Sequence, residues 1–136
     1  MTRKEKNQGM NWITQKKRLA IYLRDGLCCS YCGDTVEQGA KLTLDHLKPY
    51  SKGGDNKETN LVTCCARCNS SRGNRSVRAF TRAVAAYLNI DGGHAEMIEK
   101  TVRNNSKRSI KSYLIEAAAM IARRGSVANV INGDTI

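Results

Sequence analysis

Residues 43–71 read TLDHLKPYSKGGDNKETNLVTCCARCNSS, and the fold turns on this stretch. In Lys41–Leu44 the side chains of Leu42 and Leu44 point one way and that of Thr43 the other, the period of a half-buried strand. Pro49 and the pair Gly53 and Gly54 exclude a continuous helix and impose a long surface loop, which returns through Asn60 to a second short strand in NLVTC. The polar run ARCNSSRGN that follows suits a helical turn or two, drawing Cys65, Cys68 and Asn69 together through i, i+3 and i, i+4 neighbourhoods. The order is strand, loop, strand, helix, with Asp45 and His46 at the end of the first strand.

The chain has 6 cysteines, gathered in CCSYC at 28–32 and CCARC at 64–68. Each group holds a C-x2-C pair, Cys29 with Cys32 and Cys65 with Cys68, and four thiolates at tetrahedral geometry make a closed structural zinc site. Cys28 and Cys64 read as small buried apolar residues, with exchange into the ligand set as the alternative. Three disulfides in a secreted miniprotein would use the same cysteines. However, the basic N-terminus MTRKEKNQGMNW is not followed by an apolar signal-peptide core, so a cytoplasmic protein is expected. No uninterrupted apolar stretch approaches the roughly 20 residues that cross a bilayer. At 136 residues the chain has a limited core, which a metal staple would support.

Against 12 Asp and Glu stand 23 Lys and Arg, a formal net charge of +11. The resulting field attracts polyanions, and nucleic acid is the leading partner, ahead of an anionic membrane surface or simple solubility. The charge is spread through TRKEK, QKKR, RGNRSVR, RNNSKRSIK and ARRG, which suits an extended contact surface rather than one tail. Arg67, Arg72 and Arg75 flank the expected metal helix and are read as phosphate contacts.

Outside the centre the patterns are helical. TQKKRLAIYLRDG reads as a short basic helix ended by Gly26. Residues 77–88 carry an apolar stripe of Val77, Phe80, Val84, Tyr87 and Leu88, expected to pack on the zinc core, with Arg78 and Arg82 outward. NIDGGH is expected to break that helix, and His94 within it reads as a cap or surface residue. Residues 95–124 suggest one or two further helices divided near RNNSKRS, with Ile110, Leu114, Ala117, Ala118 and Ile121 on one side. Three regions result: residues 1–19 as a basic arm and helix start, 20–75 as the zinc and catalytic core, and 76–136 as a helical extension. The extension offers either a homodimer surface or a clamp on DNA.

The string LDHLKPYSKGGDNKETNLVTCCARCNSSRG at 44–73, together with the first cysteine pair, resembles the HNH endonuclease family over about residues 20–75. The D-H doublet, the P-x3-GG loop, the N-L-V strand and the C-x2-C-N ending occur in the family's order. The resemblance implies an α+β fold, a small ββα-metal core stapled by the four cysteines and flanked by N- and C-terminal helices. It further implies His46 as the catalytic histidine and Asp45 and Asn69 as ligands of a catalytic Mg²⁺ or Mn²⁺. Asn60 would be the central asparagine that holds the loop and orients the histidine. Asn69 stands where the family's letter name records a histidine.

The residue chemistry agrees with that assignment. An imidazole, with its ordinary pKa of about 6.5, can take a proton from water near neutral pH. Asp45 and Asn69 offer hard oxygens suited to Mg²⁺ or Mn²⁺. Gly53 and Gly54 serve backbone geometry, since no Lys and Ser or Thr of a phosphate-binding P-loop follows them. The expectation is a metal-dependent DNA endonuclease. The alternatives are a catalytically inactive zinc-stabilised nucleic-acid-binding module and a basic scaffold protein.

Overall fold

A computed structural model of the chain describes residues 12–90 and 92–132. Most of the expected basic arm, residues 1–11, lies outside the described residues. Helix α1 spans Gln15–Arg24, started by the Thr14 side chain, which accepts from the Lys17 amide. Strand β1 is Leu42–His46, β2 is Leu61–Cys65, and α2 is Ala66–Arg72. Four more helices follow: α3 at Val77–Tyr87, α4 at Gly92–Lys107, α5 at Lys111–Arg124 and α6 at Val127–Asn132. Among the described residues no helix is long and apolar enough to cross a membrane.

The strands pair antiparallel, Leu42 opposite Cys65, Thr43 opposite Cys64, Leu44 opposite Thr63, Asp45 opposite Val62 and His46 opposite Leu61. Every residue of β2 is buried because the hairpin is covered on both faces. On one face Leu44 and Leu61 join Leu19, Ile21, Tyr22, Ile110, Ala117 and Val127, from α1, α5 and α6 and the turn before α5. On the other, Val62 and Cys64 join Tyr31, the paired cysteines, and Val77, Phe80, Val84 and Val102 from α3 and α4. The second core is therefore built around sulfur, which compensates for the scarcity of aromatic residues.

A buried ion pair of adjacent residues ties α1 to β2. Arg24 meets Asp25 through Nε at 2.7 Å and Nη2 at 3.1 Å, with neither side chain exposed. Arg24 also donates to the carbonyls of Glu58 and Leu61, and Asp25 accepts from the Thr63 amide at 2.8 Å. Helix α4 is tied to the first cysteine turn by Asn105, which donates to Ser30 Oγ, and just past α4 Arg108 donates to the Arg24 carbonyl at the end of α1.

Asp45 and His46 are the last two residues of the paired strand, as expected. Two expectations are corrected. Among the described residues the break after α3 is Leu88–Ile90, where Asn89 takes a φ of 60°, and Gly92, Gly93 and His94 already belong to α4. Ala118 is exposed, because α5 turns Ile110 and Ala117 inward and leaves it on the outer side. The segment after Gly125 forms α6, with Ser126 accepting from the Asn129 amide.

Candidate active site

The Sγ atoms of Cys29, Cys32, Cys65 and Cys68 lie within 4.8 Å of one another. Cys32 and Cys65 are 3.8 Å apart. Zinc with Zn–S bonds of about 2.3 Å holds tetrahedral sulfurs roughly 3.8 Å from each other, so the cluster fits that ion. The Tyr31 and Cys32 amides point at Cys29 Sγ, and the Cys68 amide at Cys65 Sγ, each over 3.4 Å. Such donors favour thiolates. Cys64 is buried, and both it and the half-buried Cys28 stand outside the metal quartet and bond to backbone carbonyls.

Paired residues on adjacent strands share a face, so Asp45 leaves β1 with Val62 on the sulfur side and His46 leaves with Leu61 on the α1 side. Asp45 is buried, and its Oδ2 accepts from Tyr31 Oη at 2.7 Å and Arg72 Nη1 at 2.6 Å. Burial pushes this carboxyl up from the usual range, and Arg72 and Tyr31 pull it partly back. Burial and the Asp45 charge raise Tyr31 above the ordinary phenol range, keeping it a donor.

Asn69 donates through Nδ2 to Thr43 Oγ1 at 2.9 Å and to the Leu44 carbonyl at 3.1 Å. Its amide is thereby oriented with Oδ1 turned away from those partners. Among the described residues no hydrogen bond reaches Oδ1 of Asn69 or Oδ1 of Asp45. Two hard oxygens left over in this way suit Mg²⁺ or Mn²⁺.

His46 is half-buried between Trp12, at 5.1 Å between ring centroids, and Tyr50, at 6.0 Å. Its Nε2 lies 2.8 Å from Oδ1 of Asn56. Asn60 spans the loop: Oδ1 accepts from the Lys48 amide, and Nδ2 donates to the carbonyls of Lys48 and Asp55. Its own carbonyl accepts from the Leu47 amide. The side chain that meets the imidazole is therefore that of Asn56, while Asn60 bonds to backbone. Gly54 has no room for a side chain, since a Cβ there would run into the Lys48 carbonyl and lie 3.0 Å from Asn60 Nδ2.

Residues 29–75 match the family model described as HNH endonuclease. Over that span the chain is similar to the HNH endonuclease family. The matched span opens on the first metal cysteine and takes in the D-H doublet, the loop, both strands and α2. The HNH core also aligns with the CRISPR-associated endonuclease Cas9 of Actinomyces naeslundii, 42% identical over 58 residues. That alignment covers 42% of this chain and 5% of the relative, so the chain spans a small part of the protein it matches. No solved structure gives a match.

The arginines of the HNH core divide into two kinds. Arg72 is buried rather than presented at the surface: its side chain is 4% exposed and donates to Asp45 and to the carbonyls of His46, Leu47 and Arg75. Its position one turn from Asn69 turns it toward β1, a direction that composition alone does not reveal. Arg67 and Arg75 are exposed. Arg67 lies over Tyr87 and 3.4 Å from Asp34, and Arg75 lies over Phe80. His94 stands among residues lining an open cavity of about 560 Å³ beside the first cysteine turn, away from the HNH doublet.

Proposed function

We propose that the HNH core hydrolyses DNA phosphodiester bonds with the help of a divalent metal ion. The observation that carries this reading is the pair of unengaged oxygens, Oδ1 of Asp45 and Oδ1 of Asn69, on the β1–α2 side of a strand whose last residue is His46. Asp45 and Asn69 would hold Mg²⁺ or Mn²⁺, and the ion, when bound, supplies Lewis-acid stabilisation of the phosphorane and of the departing 3′-oxygen. His46 accepts a proton as water attacks phosphorus; the bond from phosphorus to the 3′-oxygen breaks and that oxygen takes a proton from solvent water, leaving 5′-phosphate and 3′-hydroxyl ends. Arg72 and Tyr31 hold the Asp45 carboxylate from its other oxygen. Arg67 and Arg75 contact phosphates, within a field set by the net charge of +11. The four cysteines hold zinc, which takes no part in hydrolysis.

The experiment is a plasmid-nicking assay on zinc-loaded protein. Brief EDTA treatment that leaves the zinc in place stops cleavage, and Mg²⁺ or Mn²⁺ restores it. Cleavage by protein freed of the second metal would defeat the mechanism. The second reading, a zinc-stabilised DNA-binding module without activity, draws on the commitment of Asp45 Oδ2 to Arg72 and Tyr31. Folded, zinc-loaded, DNA-binding protein that cuts neither duplex nor single strand would establish it.

A further inference from the structure

The contact between His46 and Asn56 belongs to a supported segment. The carbonyl of Asp55 is held by Asn60 Nδ2 at 2.9 Å, and the carbonyl of Asn56 by Lys17 Nζ of α1 at 2.9 Å. The Lys57 amide donates to Asp55 Oδ1, and the Asn60 amide donates to the Lys57 carbonyl. The backbone is thus tied on both sides of Asn56. Lys17 is itself 3.8 Å from Glu58 in the same loop. Trp12 and Tyr50 flank the imidazole and oppose rotation of its ring.

Into this frame the amide of Asn56 brings Oδ1 to 2.8 Å from Nε2. A carbonyl oxygen only accepts, so Nε2 must carry the hydrogen. A neutral imidazole has one N–H, which leaves the lone pair on Nδ1. We propose that Asn56 is the positioning residue of His46: it fixes the Nε2–H tautomer and so turns Nδ1 into the atom that takes the proton from water. The proposal rests on the reading of His46 as general base and moves the orienting task from Asn60 to Asn56. Asn60 acts one step back, by holding the backbone from which Asn56 projects.

The test combines a spectroscopic readout with kinetics on the full zinc-loaded chain. The chain contains 2 histidines, so a His94→Gln variant assigns the ring signals in long-range ¹H–¹⁵N spectra. Recorded where the rings are neutral, the parent chain shows His46 as the Nε2–H tautomer. Asn56→Ala and Asn56→Ser, each checked for parental zinc content, give a mixture with Nδ1–H. They lower kcat by about 10- to 100-fold, the scale for losing a partner that orients a histidine, with KM for DNA unchanged. Asn56→Asp keeps the Nε2–H tautomer. An Nδ1–H tautomer in the parent chain would overturn the proposal, as would an Asn56→Ala protein with the parental tautomer and kcat. A chain that never cuts DNA, yet loses its Nε2–H tautomer in Asn56→Ala, would sink the nuclease reading and support the positioning contact.

Discussion

Tyr31 donates its hydroxyl to Oδ2 of Asp45 across 2.7 Å, and so joins the first cysteine turn to the carboxylate of the HNH doublet. Tyr31 sits between Cys29 and Cys32, so its position is set by the metal quartet. Folding around the metal and placement of Asp45 are therefore linked through one buried hydroxyl.

Tyr31→Phe tests that link. The aromatic packing against Phe80 survives, but a buried carboxylate loses a donor, a cost of about 1.5–3 kcal/mol for a hydrogen bond to a charged group. Urea unfolding of protein with parental zinc content reads the loss, and nicking activity falls with it. Unchanged stability and activity would show that Arg72 alone holds Asp45.

The metal quartet is tested by cysteine replacement. Cys29→Ser and Cys68→Ser abolish tight zinc binding and cooperative unfolding, because apparent zinc binding energies of roughly 10–16 kcal/mol are part of folding energy in such small sites. Cys28→Ala and Cys64→Ala retain the metal. Metal analysis of purified variants decides it: zinc lost from either alanine variant would place that cysteine among the ligands.

Arg72 and its two exposed neighbours should behave differently. Arg72→Ala strands Asp45 in a buried site and costs about 3–5 kcal/mol in chemical unfolding, the scale for removing one partner of a buried pair. Arg67→Ala and Arg75→Ala leave stability nearly unchanged, weaken DNA binding and reduce the dependence of affinity on salt by about one counterion each. A stable Arg72→Ala protein with a reduced salt slope would restore Arg72 to the DNA surface.

The loop makes a sharper demand at Gly54 than at Gly53. Gly53 has a φ of 89°, and alanine there carries roughly 1–2 kcal/mol of left-handed strain. At Gly54 a Cβ collides with the Lys48 carbonyl, which Asn60 grips, so Gly54→Ala displaces the frame around Asn56 and His46. Cleavage should fall more for Gly54→Ala than for Gly53→Ala when both retain zinc. The reverse order would show that the loop's turn, rather than its close approach to Lys48, governs the site.

Asp45 and Asn69 differ in what each replacement removes. Asp45→Ala deletes a charge and a ligand, whereas Asn69→Asp keeps an oxygen and adds an anion, so Asp45→Ala loses more nicking activity. The Mg²⁺ concentration for half-maximal rate falls in Asn69→Asp if the added charge tightens the metal. Undiminished cleavage in Asp45→Ala would remove the carboxylate from the mechanism.

The amino-acid sequence by itself determined the order strand, loop, strand, helix and the four metal cysteines. Alternation at Leu42 to Leu44, the breaks at Pro49, Gly53 and Gly54, and C-x2-C spacing are local properties that each act within a few residues. Only the tertiary structure decided which side chain of each kind does what. Arg72 and Arg75 look equivalent in sequence, yet one lies against Asp45, 27 residues away, and the other faces solvent. Asn56 and Asn60 share one polar loop, yet only Asn56 reaches the imidazole, because Asn60 and Lys17 tie its backbone there. Arg24 and Asp25 read as an ordinary charged helix end and are buried, because β2 brings an amide and a carbonyl to meet them. Whether a polar side chain is solvated or held depends on partners that long-range packing delivers, and burial makes those partners obligatory.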